Sequence, residues 1–207
     1  MTAAEILRLN GNLRDSPMIE VVRRFHKLSG LLKLPYCIVG GMAVIRNGYP
    51  RTTMYVDVLT LKDAWRKALP LKGEITSNGL DSCVDSKTGV TIYVLFCDEE
   101  RGMPMPMPDP RKVGEYDEEL GARFIGLHAL VQLKMAVHLA KLKESGIEVA
   151  AKDLGDVYEL ISRNLAEFSK EVMRDYDPAV RGRCLETFER AARASRREKP
   201  RFRDIEQ

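Results

Sequence analysis

The stretch from Tyr36 to Thr60 constrains the fold more than any other part of the chain. Tyr36-Cys37-Ile38-Val39 is a short apolar run that reads as a buried strand, and the glycine pair Gly40-Gly41 follows at once. Met42 to Asn47 then reads as a short helix closed by Gly48. From Met54 to Thr60 the residues alternate, with Tyr55, Asp57 and Leu59 on one side and Met54, Val56 and Val58 on the other, which is the period of a strand. Tyr55 and Asp57 therefore share a face, roughly 7 Å apart by the strand rise per residue. A glycine pair between a buried strand and a helix lets backbone amides approach a phosphate with no Cβ in the way. Such pairs also serve tight strand-to-helix packing.

Around this segment the pattern is mixed. Apolar residues from Pro17 to Leu32 recur at three and four, a helix with Ser16 as its cap and Pro17 at its first position. Lys62 to Leu69 reads as a helix and Glu74 to Val84 as one or two short strands. Val90 to Phe96, after the turn Ser86-Lys87-Thr88-Gly89, reads as a β-branched strand carrying Tyr93. Met103 to Pro110, MPMPMPDP, lacks backbone donors at alternate positions, so it is an extended loop and a natural boundary. Beyond it the pattern turns helical: Leu127 to Leu142, Lys152 to Ile161, Leu165 to Tyr176 and Pro178 to Ala194. The expected class is α/β (α+β). An α/β core over residues 1–110 precedes a helical region over 111–195 and a basic tail over 196–207, and no internal repeat is visible.

Composition excludes several other classes. The 207 residues carry 33 Lys+Arg against 30 Asp+Glu, a net charge of only +3, with 44% hydrophobic residues, so a core can form and a wholly disordered chain is excluded. There is no apolar run of about 18 residues to span a bilayer. The N-terminal residues lack the basic start and apolar block of a secretory signal, so a cytoplasmic location is expected. Cys37, Cys83, Cys97 and Cys184 show no metal-ligand or disulfide spacing and read as free thiols. His26, His128 and His138 fall in helical patterns as core or surface residues. From Arg193 to Arg203 the tail is rich in arginine and lysine with Phe202 as its aromatic, which suits a solvated helix end better than a nucleic-acid contact.

The segment VGGMAVIRNGYPRTTMYVDVLT, Val39 to Thr60, resembles the nucleotidyltransferase superfamily of the polymerase-β type, especially its small bacterial members and the toxin-like ones among them. Their motif is a hydrophobic residue, Gly, Gly or Ser, a spacer, and two carboxylates two apart on a strand. The likeness continues through Gly48 to Thr53, through Lys87 to Phe96, which resembles the strand bearing a third carboxylate, and through Leu127 to Ala136 and Lys152 to Ile161. The resemblance implies a mixed sheet of the nucleotidyltransferase type with flanking helices, and transfer of a nucleoside monophosphate from a nucleoside triphosphate to an acceptor. It also implies Mg2+ held by three carboxylates. The implied nucleotide-binding residues are Gly40, Gly41, Arg51, Thr52 and Lys134.

At the decisive positions the chain departs from that pattern. Tyr55 stands at the first carboxylate position, Asp57 at the second and Tyr93 at the third. A neutral phenol, with a pKa of about 10, is a poor magnesium ligand, and the loss of two negative charges weakens a site built to offset divalent cations. Asp81, Asp85, Asp98, Glu99 and Glu100 read as loop or strand-end residues without the spacing to replace them. Arg51 and Lys134 are candidates for phosphate contact or for solvated and snorkelling charges. Asp153 and Asp156 read as caps or surface ion-pair partners beside Lys152, and Asp57 as a structural partner of Arg51 if it is not catalytic. The leading expectation is a nucleotidyltransferase-fold protein with a weak or lost magnesium site at Asp57, impaired in catalysis, that binds a nucleotide or phosphate ligand or acts in regulation. The alternatives are an active enzyme that uses Mg2+ to modify a small molecule, RNA or protein, and an interaction module whose cleft is packed shut by Tyr55 and Tyr93. A nucleoside triphosphate and an RNA or protein are the corresponding partners, with no membrane role.

Overall fold

The structure, a computed structural model, describes residues 17–68, 75–77 and 79–198. Ser16, Leu69, Glu74 and the tail residues from Lys199 onward, on which sequence expectations fall, lie outside the described residues. Helix α1 (Pro17–Leu31) leads into β1 (Tyr36–Val39), α2 (Gly40–Arg46), β2 (Tyr55–Thr60) and α3 (Lys62–Ala68). Strands β3 (Ile75–Ser77), β4 (Ser82–Asp85) and β5 (Thr91–Phe96) follow. Residues 103–108, with bends at Pro104 and Met105, lead to a single helical turn, α4 (Pro110–Val113), and a hairpin of β6 (Gly114–Asp117) and β7 (Ala122–Ile125). Two long helices, α5 (Leu127–Ser145) and α6 (Ile147–Arg163), two 3-10 turns (Leu165–Glu167 and Val172–Asp175) and α7 (Pro178–Glu198) complete the described chain.

All seven strands form one mixed sheet in the order β3-β4-β5-β2-β1-β7-β6. β1 runs antiparallel to β2, which runs parallel to β5. The registers Val39↔Asp57 and Asp57↔Tyr93 put these three residues in one row across the sheet, and side chains alternate from face to face. On the opposite face Ile38, Val56, Val58, Ile92 and Val94 are buried. α1 covers that face: Phe25 meets Tyr36 edge-on at 5.1 Å and stacks with Trp65 at 6.2 Å, and the Trp65 indole donates to Leu80 O. α5 and α6, joined at Gly146 in the left-handed region (φ +83), pack together and with α7 to close the other side. Apolar burial on both faces supplies the main driving force for the fold.

The structure departs from the sequence reading after Pro110. A hairpin precedes the helices there, and β7 pairs with β1 inside the sheet. Arg46 ties the hairpin to α2 through Asp117 at 2.9 Å. The continuous helix expected from Leu165 to Tyr176 is two separate 3-10 turns. α6 starts at Ile147 rather than Lys152, so Asp153 and Asp156 are interior helix residues and not caps.

Candidate functional site

A cavity of about 380 Å3 opens on the face of the sheet that carries Asp57. Its polar wall is formed by Gly40, Gly41, Arg51, Asp57, Lys134 and Lys152, and Tyr55 lies beside them. Leu95, Met103, Met107, Leu130, Leu133 and Val137 supply its apolar lining. Its volume is in the range of small-ligand pockets.

The glycine pair has two distinct local jobs. Gly40 sits in the left-handed region (φ +60), and a Cβ there would run into the Asp57 carboxylate. Gly41 faces Thr53, whose Oγ1 would lie 2.6 Å from an added Cβ. The Gly41 backbone amide is among the groups that favour the charged form of the Asp57 carboxylate. Close approach of β2 to the β1–α2 turn is thus what these glycines permit.

Asp57 is held between opposing effects. Burial pushes its carboxyl pKa up to about 6, although Lys134, the Gly41 N–H, Arg51 and Lys152 all favour the charged form. Its expected partnership with Arg51 is not formed. Arg51 instead donates to Asp156 Oδ1 at 2.7 Å, and the Arg51 Nε is buried without a hydrogen-bond partner. Lys134 meets Asp153 at 2.8 Å and Asp156 at 2.9 Å, and Lys141 meets Asp153 at 2.7 Å. Burial works against the Lys134 ammonium, but the two aspartates outweigh it and raise its pKa above the ordinary lysine value. Asp153 is likewise disfavoured by burial as an anion and held below its usual range by Lys134 and Lys141. Both aspartates are almost wholly buried, at 3% and 2% exposure, so they are neither caps nor surface partners.

Lys152 stands apart from this network. It lines the cavity and is exposed, and no hydrogen bond or ion pair holds its ammonium among the described residues. Burial, then the nearby charges of Arg51 and Lys134, lower its pKa. Sequence reasoning did not single out Lys152 as a site residue. Nor did it assign the buried roles of Asp153 and Asp156. The available signal was helical spacing: Lys134 and Lys141 seven apart, facing Asp153 and Asp156 three apart on the next helix.

The remaining sequence candidates are placed as follows. Tyr55 packs edge-on against Tyr93 with ring centroids 5.1 Å apart. Tyr93 is 44% exposed and is not among the residues lining the cavity. The two rings leave the cleft open. Thr52 is exposed and outside the lining, and its neighbour Thr53 makes the contact with Gly41. Asp85 is fully buried in a bidentate bond with Arg24 (2.9 and 2.7 Å), Asp98 accepts from the Lys62 N–H at the start of α3, and Glu99 pairs with Lys62. Asp81, Asp85, Asp98, Glu99 and Glu100 are all outside the cavity lining.

A magnesium pair needs several convergent anionic oxygens. Among the described residues no group of three His, Cys, Asp or Glu side chains is placed to hold a metal. The cavity offers Asp57 and Asp153, and Asp153 is engaged by two lysines. Five basic residues line the cavity, counting Arg101 and Lys141, against these two acids. Basic side chains outnumber acidic ones in this lining.

No protein-family model matches the chain, and no curated protein matches it in sequence. Solved structures do match in fold. The structure of ANT(2")-Ia in complex with adenylyl-2"-tobramycin aligns with a TM-score of 0.52 at 11% identity, covering 87% of this chain and 99% of that one. An antigenic nucleotidyltransferase-like protein from Paracoccidioides brasiliensis aligns with a TM-score of 0.45 at 16% identity, covering 70% and 75%. The first of these likenesses carries the fold alone: the chain has the nucleotidyltransferase fold, a mixed sheet followed by C-terminal helices. Among the described residues no helix is long and apolar enough to cross a membrane.

Proposed function

We propose that this chain is a nucleotidyltransferase-fold protein impaired in transfer chemistry, whose cleft binds a nucleotide or related phosphate ligand and acts through binding. The observation that carries this reading is the sign of the cleft. One poorly solvated carboxylate, Asp57, faces Arg51, Lys134 and Lys152, and tyrosines stand at the two positions where the fold's resemblance calls for further carboxylates. Attraction for a phosphate comes from fixed side-chain cations rather than from metal ions held by acids.

Two assays on the full-length chain test this. Incubation with each nucleoside triphosphate and Mg2+ should release no pyrophosphate above the buffer control. Calorimetric titration of the same nucleotides should show binding that persists in EDTA. Sustained pyrophosphate release that is lost in Asp57→Asn would overturn the impaired reading, and absence of nucleotide binding under every condition would overturn the binding role.

A further inference from the structure

The charge balance and the mixed polar and apolar lining of the cavity together restrict what can sit in it. Arg51, Lys134 and Lys141 share two acids, Asp153 and Asp156, which leaves one positive charge in surplus. Lys152 adds a second, and ionised Asp57 cancels one. Arg101, also in the lining, shares Glu99 with Lys62 and so is only partly offset. The cluster therefore carries at least one net positive charge, or at least two when Asp57 is protonated. One phosphate group matches that surplus. A triphosphate without metal would exceed it by several charges, and like-charge excess in a partly desolvated cleft is costly.

Two donors remain for an anion. The Lys152 ammonium is unpaired, and the buried Arg51 Nε has no partner although its residue lines the cavity. The same cavity is lined by Met103 and Met107, on a segment whose Pro104 and Pro106 are exposed, and by Leu130, Leu133 and Val137 of α5. Prolines restrict that backbone while the unbranched methionine side chains adapt to different apolar shapes.

We infer that the cleft is a metal-independent site for a phosphate monoester with an apolar or aromatic body, its phosphate held by Lys152 and Arg51 and its body laid along Met103, Met107 and Leu133. Lys152 supplies the positive charge that a metal ion would otherwise bring. This rests on the reading of the cleft as a phosphate-binding site and narrows it to one phosphate, no metal and an apolar partner surface.

Calorimetry on the full-length chain with phenyl phosphate, AMP, ATP and inorganic phosphate tests it. Phenyl phosphate and AMP should bind in EDTA, with affinity changed less than about twofold by Mg2+, and inorganic phosphate should bind about tenfold more weakly for want of apolar burial. Lys152→Ala, at an exposed position that leaves the core intact, should weaken phenyl phosphate about tenfold, as expected for loss of one charge-assisted contact. Lys87→Ala, on the β4–β5 turn, should change nothing. Met103→Ser with Met107→Ser should weaken phenyl phosphate and leave inorganic phosphate unchanged. Binding that requires Mg2+, that favours ATP over AMP in EDTA, or that ignores Lys152→Ala would overturn the inference. Binding of Mg-ATP alone would do so while leaving the broader nucleotide reading standing. Failure of every phosphate compound to bind the folded chain would overturn both.

Discussion

At the scale of the residue, Asp57 carries a cost that its surroundings only partly offset. Its carboxyl is raised to about 6, above the ordinary value, so the folded state binds a proton more tightly than the unfolded chain does. The sign follows: this group's contribution to stability is greatest below about pH 4, falls as pH rises through 6, and is flat above. Asp57→Asn, which keeps an acceptor for the Gly41 N–H, should stabilise the protein at pH 7.5 by about 1–3 kcal/mol. That advantage should vanish toward pH 4, as measured by urea denaturation across that range. The same substitution should strengthen phosphate binding, because it removes the lining carboxylate that no ion pair offsets, whereas a metal-dependent site would lose binding. In wild type, Asp57 protonates as pH falls toward 6, so ligand binding in that range should be accompanied by proton exchange visible as a buffer-dependent binding enthalpy. Gly40→Ala should be severely destabilising, since both its left-handed backbone and the Asp57 carboxylate exclude a Cβ.

At the scale of the element, the pairing of α5 with α6 sets the electrostatics of the cleft. Asp156 holds both Arg51 and Lys134 in a nearly dry setting. Removing it by Asp156→Ala leaves two buried cations short of a partner and should cost about 3–5 kcal/mol in urea denaturation. Adding Arg51→Met should recover part of that loss, a non-additivity that a double-mutant cycle measures. The elements differ in how openly the sequence declares them. β1, the glycine pair and β2 were legible because apolar runs, glycines and strict alternation agree there. The hairpin β6–β7 was not: Gly114-Glu115-Tyr116-Asp117 is a short edge strand with no apolar face, and the place of its partner β7 beside β1 is decided by tertiary pairing. The start of α6 was hidden because Ile147 and Val149 are exposed, so apolar periodicity begins only at Ala150. For the site, the shared face of Tyr55 and Asp57 could be read from strand spacing, whereas Tyr93 was reached only through the family resemblance. The network around Asp153 and Asp156 joins positions far apart in sequence, which spacing along one chain segment does not reveal.

At the scale of the whole molecule, a net charge of only +3 conceals a local concentration of cations in the cleft. Ligand capture should therefore be salt-sensitive: raising potassium chloride well above physiological strength should weaken phenyl phosphate severalfold, while the fold stays intact by circular dichroism. The chain shares its fold with ANT(2")-Ia, and in that fold Arg51, Lys134 and Lys152 line the cavity beside Asp57. The most direct test is a Mn2+ titration of the full-length protein followed by electron paramagnetic resonance, with Mn2+ standing in for Mg2+. No bound manganese is expected in wild type in the micromolar range, with or without nucleotide. Micromolar binding that disappears in Asp57→Asn would contradict the metal-independent cleft.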